Sequence, residues 1–98
     1  MPSRARLTRV AKGEFTEASR WIAEDSPSAA RALRRAVQRA ALLIAAQPMI
    51  GVSRPELAPP PFRFLAVRGF PYIMVYNPTN HPPTIVRIVH GRETCLRF

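Results

Sequence analysis

Asp25-Ser26-Pro27-Ser28-Ala29-Ala30-Arg31-Ala32-Leu33 is the stretch on which the fold turns. Ser26 can accept a hydrogen bond from an amide at a helix start, and Pro27 suits the first helical position, where its missing N–H has no partner anyway. Ala29 to Ala46 is rich in alanine and leucine, the strongest helix formers. Leu33, Val37, Ala40 and Ile44 form its inward stripe, while Arg31, Arg35 and Arg39 recur along another face. Pro48 ends this helix by disfavouring helical geometry at Gln47. Upstream of the break, Ala11, Phe15, Ala18 and Ile22 fall on one helical stripe, so a first helix is expected from Ala11. Trp21 adjoins that stripe and is expected to seal its edge; Glu14, Glu17, Glu24, Lys12 and Arg20 are expected on the wet side. Two helices joined by so short a link form an antiparallel hairpin.

On either side of the hairpin the pattern is that of strands. Ala5-Arg6-Leu7-Thr8-Arg9-Val10 alternates small or apolar with polar residues, as a half-buried strand does. Met49 to Pro61 reads as an irregular connection. Phe62 to Val67 is a strand, Arg68 to Pro71 a turn, and Tyr72 to Tyr76 a second strand. Asn77 to Pro83 is a polar, proline-rich loop, and Thr84 to Val89 the last strand. The expected class is therefore α+β: strand, helix, helix, then three strands as an antiparallel meander, in a single domain spanning residues 1–98. The last two strands are nearly continuous apolar runs, which suits strands covered on both faces. The hairpin covers one face, and a partner is the expected cover for the other.

Composition excludes several classes of protein. Fifteen basic residues against six acidic ones give a net charge of +9, and Lys12 is the only lysine. Such a surplus suits an acidic partner, whether nucleic acid, an anionic membrane or an acidic protein segment. The lone cysteine, Cys95, rules out an intramolecular disulfide and any zinc site built on cysteine pairs. The uncharged run from Gly69 to Val86 is broken by Pro71, Pro78, Pro82 and Pro83, so it is no membrane span. Met1-Pro2-Ser3-Arg4 has no apolar segment behind its charge, and a cytoplasmic setting is expected.

Catalytic machinery is sparse. His81 sits in a proline-rich loop and reads as a solvated turn residue. His90 ends the last strand beside Gly91 and Arg92, where a histidine either bonds to backbone or serves as a general base. There is no glycine-rich phosphate loop and no acid cluster with metal spacing, so no cofactor or metal is expected. Glu14, Glu17, Glu24 and Asp25 all belong to the first helix, away from the sheet. Arg63, Arg68, Arg87, Arg92 and Arg54 remain. Arg87 shares a face with Ile85 and Val89 by alternation, and an unpaired guanidinium there is costly. It either snorkels to solvent or meets a carboxylate or phosphate.

The succession Pro48, Gly51, Arg54-Pro55-Glu56-Leu57, Arg63-Phe64, Tyr72-Ile73-x-x-Tyr76 and Ile85-x-x-Ile88-x-His90-Gly91-Arg92 resembles the ParE branch of the RelE/ParE toxin superfamily. Ser26-Pro27-Ser28-Ala29-Ala30 fits as well, so the resemblance covers nearly the whole chain. It implies the toxin half of a type II toxin–antitoxin pair, with a strand, two helices and three strands. It also implies an acidic antitoxin whose C-terminal segment wraps the toxin. On this resemblance Phe15, Trp21, Ile22, Arg31, Arg35, Arg54 and Arg68 are the residues expected to meet the antitoxin. Arg63, Arg87, His90 and Arg92, with the tail to Phe98, are expected to meet the target.

The superfamily has two main activities. RelE-like members cut messenger RNA in the ribosome, where a general base and positive charge serve the crowded phosphate. Their pattern puts arginine directly after the first tyrosine of the third strand, where this chain has Ile73. After the last strand Glu93 follows Arg92, and no tyrosine comes later. ParE-like members lack that set and are linked to poisoning of DNA gyrase. The expectation is thus a toxin that binds gyrase without catalysis. A degenerate RelE-like nuclease using His90 and Arg92 is the alternative, and a plain nucleic-acid-binding module the third reading.

Overall fold

A computed structural model describes residues 3–92. In chain order the elements are β1 (Arg6–Leu7), α1 (Arg9–Asp25), α2 (Pro27–Ala46), β2 (Arg63–Ala66), β3 (Tyr72–Asn77) and β4 (Thr84–His90). The strands form one sheet in the order β1-β4-β3-β2. β2, β3 and β4 are the antiparallel meander, and β1 returns parallel to β4 through Arg6–Thr84 and Leu7–Ile85. The α+β class and element order agree with the sequence reading. The proposed tail contacts, with Glu93, Cys95 and Phe98, lie outside the described residues.

β1 is shorter than its alternation suggested because Thr8 turns the chain. Its Oγ1 accepts from the Ala11 amide at 3.1 Å, and the same hydroxyl donates to the Val86 carbonyl at 3.1 Å. The first helix therefore starts at Arg9 and takes in Val10, which is exposed. Ser26 serves both helices: its N–H donates to Ile22 O, ending α1, and its hydroxyl accepts from the Ala29 amide at 3.2 Å, starting α2. One residue thus makes the hairpin's joint.

The hairpin packs on one side of the sheet. Ala11 and Ala18 of α1 and Leu33, Val37 and Ile44 of α2 meet Met74, Tyr76, Ile85 and Ile88 in the main core. Trp21 is not the seal of this core: it is 71% exposed. Rotation of 100° per residue carries position 21 past the margin of the stripe to the outside.

The opposite face of the sheet is covered by the chain itself. Ala58, Phe64 and Val75 form a second buried cluster, with Leu57, Phe62, Ile73 and Val86 packed against it. The connection that looked irregular brings Leu57, Ala58 and Phe62 over that face, so the chain supplies cover of its own there. Burying side chains of this size stabilises the fold by ~1.5–3 kcal/mol each.

Hydrogen bonds pin this connection to β2 and β3. Val52 pairs with Phe64 in both directions, at 2.9 and 2.8 Å. The Tyr76 hydroxyl donates to Pro48 O at 2.7 Å and accepts from the Gly51 amide at 2.8 Å. Gly51 is required for that approach, because a Cβ there would lie 2.7 Å from the Tyr76 ring and hydroxyl.

Candidate target-binding face

Residues at the far end of β3 and β4 form the most reactive-looking surface. Tyr72 stands opposite His90 in the ladder, with ring centroids 5.6 Å apart and planes at 76°. The two aromatic groups meet edge to face, an arrangement their quadrupoles favour. His90 Nδ1 accepts from the Arg92 amide at 3.1 Å. With Nδ1 acting as acceptor, a neutral ring carries its proton on Nε2. The turn is closed by the Gly91 amide, which donates to Pro71 O at 2.7 Å. Phe70, Pro71, Tyr72, Ile73, His90 and Arg92 line a shallow cavity of about 490 Å³ here, with no carboxylate among the described residues that line it. An imidazole, a phenol and a guanidinium lining one cavity can bind an anionic or aromatic group.

The other two arginines assigned to this surface do not line that cavity. Arg63 stands opposite Tyr76, at the other end of the strands, where its guanidinium donates to Gly51 O at 2.6 Å. It holds the connection in place. Burial pushes the Tyr76 hydroxyl above its ordinary pKa of 10.0, while the Gly51 N–H and the Arg63 charge pull it the other way. The set Arg63, Arg87, His90, Arg92 is therefore not one cluster.

Arg87 meets a carboxylate, the second outcome its sequence position allowed. Its Nη2 lies 2.8 Å from Glu14, and its Nε is 3.1 Å from each Glu14 oxygen. Glu14 also accepts from the Ile88 amide at 2.9 Å. The expectation that Glu14 is on the wet side and away from the sheet is thus corrected. A register shift between Val75 and Tyr76 sets Ile85 opposite Tyr76 but Arg87 opposite Val75. Simple alternation therefore fails between Ile85 and Arg87, so of the two neighbours expected to share its face Arg87 keeps Val89 and loses Ile85. Glu14 is the residue that reading missed. Its place three residues after Ala11 and four before Ala18, at the margin of the stripe, is the signal available in the sequence.

Among the residues expected to meet an antitoxin, Phe15 and Ile22 are partly buried against the main core and hold hairpin to sheet. Trp21 is exposed beside Glu17, Tyr72 and His90, in a cleft of about 220 Å³. Arg31 and Arg35 are exposed on α2. Arg54 lies in the connection and pairs with Glu56 at 2.8 Å, and Arg68 is exposed in the turn after β2. Among the described residues no group of three His, Cys, Asp or Glu is placed to hold a metal ion.

A family model described as the ParE toxin of the type II toxin–antitoxin system parDE matches residues 5–94. The chain belongs to this toxin family. Its fold is shared by a solved structure described as the chromosomal ParDE TA system from P. aeruginosa, with a TM-score of 0.61 at 19% identity. That likeness covers 91% of this chain and 96% of the other. No curated protein matches. Within the ParE-family fold, Ile73 stands opposite Val89 and packs against the second cluster, so an apolar contact occupies the position where the RelE pattern has arginine.

Proposed function

We propose that this ParE-family toxin acts in the cytoplasm by binding DNA gyrase directly, so that breaks in DNA persist, and that a cognate acidic antitoxin neutralises it. The observation that carries this reading is the engagement of Arg87 by Glu14. Phosphate cleavage calls for positive charge aimed at the developing transition-state charge. In this toxin the mid-strand guanidinium is neutralised within the fold, and Arg63 is held on the connection. What faces outward is the Tyr72, His90 and Arg92 surface, which suits recognition of an acidic or aromatic protein patch. The test is gyrase supercoiling with purified toxin. Inhibition with a trapped cleavage complex is expected, reduced in Arg92→Glu and Tyr72→Ala; unchanged gyrase activity refutes the reading.

One observation favours the nuclease alternative: His90 Nε2 is available beside Tyr72 and Arg92, the minimum for proton transfer at a 2′-hydroxyl. Primer extension on translated messages after induction decides it. Codon-positioned cuts lost in His90→Ala would establish cleavage, and intact messages would exclude it.

A further inference from the structure

Tyr72 and His90 line two cavities, and the two differ in charge. On one side is the shallow cavity that includes Arg92. On the other is the cleft of about 220 Å³ between α1 and the strands β3 and β4. Ala18 and Ile88, 7% and 4% exposed, are its buried apolar residues, and Trp21, Tyr72 and His90 its aromatic ones. Glu14 and Glu17 complete it. Glu14, Glu17 and Trp21 follow one another at spacings of three and four along α1, which brings them to one face of the helix. No arginine or lysine of the described residues lines this cleft, in a chain that carries fifteen of them.

The two carboxylates are not equivalent. Both oxygens of Glu14 are taken, by Arg87 and by the Ile88 amide. Glu17 is exposed, and the ion pairs among the described residues, Arg54–Glu56 and Arg87–Glu14, leave it out. Trp21 is the chain's one tryptophan and is 71% exposed. An indole left in water forgoes the stabilisation that burial would bring, and tryptophan is among the residues that most often anchor a partner. The face of an aromatic ring is negative and attracts a cation. An open carboxylate one helical turn from an exposed indole, with a phenol and an imidazole beside them, is therefore a setting for positive charge.

We propose that this cleft takes an arginine side chain of the toxin's target protein, its guanidinium stacked on Trp21 and paired with Glu17. The inference rests on the target-binding reading above and adds to it a second point of contact, of opposite charge to the first. Pockets for whole small molecules run to ~300–1,000 Å³, so a cleft of about 220 Å³ suits a single side chain. A planar guanidinium both stacks on an aromatic face and bonds a carboxylate with two N–H groups, which a lysine ammonium cannot match. A nucleic-acid phosphate would meet the charge of Glu17 instead. The target surface is then read by the order of its charges, basic on the α1 side of His90 and acidic or aromatic on the Arg92 side. A net charge of +9 draws the toxin to any acidic surface. The cleft rejects those that bring a second acid where the cation belongs.

Trp21 emission reports on the cleft directly, because the chain has no other tryptophan. Titrating N-acetylarginine amide into the toxin at fixed ionic strength should give a saturable change. The citrulline counterpart keeps the shape without the charge and should bind about tenfold more weakly or worse. Glu17→Gln should weaken arginine binding about threefold or more, and Glu17→Arg should abolish saturation. Glu17 is exposed, and circular dichroism checks that both variants fold. An equal response to citrulline, unchanged affinity in Glu17→Gln, or tighter binding of adenosine monophosphate than of the arginine amide would overturn the proposal. In gyrase supercoiling, Trp21→Ala should raise the toxin concentration for half-inhibition about tenfold, and Glu17→Gln about threefold. Inhibition by wild type and both variants alike would also overturn it. Wild-type toxin that leaves gyrase untouched removes the target reading alone, while the arginine titration, which needs no gyrase, still judges the cleft.

Discussion

Replacing Glu14 with alanine should destabilise the fold more than any other exchange of a single charged residue among those described. The carboxylate accepts Arg87 Nε on both oxygens at 3.1 Å, Arg87 Nη2 at 2.8 Å and the Ile88 amide at 2.9 Å. The two side chains are 22% and 21% exposed. Exposed ion pairs contribute ~0–1 kcal/mol, whereas breaking a buried one costs ~3–5 kcal/mol. At this exposure roughly 2 kcal/mol is reasonable for the pair. The Ile88 amide, in a residue 4% exposed, adds about 1 kcal/mol when left without its acceptor. The sum is ~2–4 kcal/mol, equivalent to a fall in Tm of roughly 10–25 °C for a domain of this size.

Urea unfolding of Glu14→Ala, Arg87→Met and the double variant gives the measurement. Glu14→Ala should cost more than Arg87→Met, because only the former also strands the Ile88 amide. The double variant should cost less than the sum of the two, with a coupling of about 1–2 kcal/mol. A loss below ~1 kcal/mol for Glu14→Ala, or strict additivity, would refute the reasoning.

Three further outcomes are expected. Gly51→Ala should cost ~2–4 kcal/mol, because its Cβ would lie 2.7 Å from the buried Tyr76 ring and hydroxyl; thermal melting checks it, and a Tm within a degree or so of wild type would rule out the contact. Stability should decline as pH rises past 10.0, since buried Tyr76 keeps its proton in the folded state above the pH at which the unfolded chain loses it. The contribution is complete below that pH, and the slope should flatten in Tyr76→Phe relative to its own neutral-pH value. Ser19→Ala should raise stability by about 0.5–2 kcal/mol, because Ser19 Oγ is buried without a hydrogen-bond partner among the described residues and alanine is the better helix former; a loss in chemical denaturation would mean that the hydroxyl is satisfied.

The local elements were legible because their signals lie within a few residues of one another. Ser26-Pro27 fixes the hairpin joint, and the stripe of Leu33, Val37, Ala40 and Ile44 is buried as its spacing requires. Three features depend on distant parts of the chain and were not legible. Glu14 and Arg87 are seventy-three positions apart, and their meeting depends on a register shift that no local pattern announces. The connection has no periodicity to mark Leu57, Ala58 and Phe62 as a cover, so the second sheet face looked vacant. The site residues were read as one group from their charge, but Arg63 and His90 fall at opposite ends of antiparallel strands. Order along the chain and proximity in the sheet run in different directions there.

The cover over the second sheet face has a consequence for how this chain can change over time. Both broad faces are largely covered by the chain itself, so what is left most open to outside molecules is the strand edges, the loop ends and the outer helical surfaces. Arg39, Arg68 and Arg92 sit on those margins, all exposed and remote in kind from the buried clusters. Exchanges there fall outside the contacts that make substitutions interdependent, so they should add independently to whatever happens in the interior. A lineage could then rewrite which protein it meets, one arginine at a time, while its melting behaviour stayed where it was.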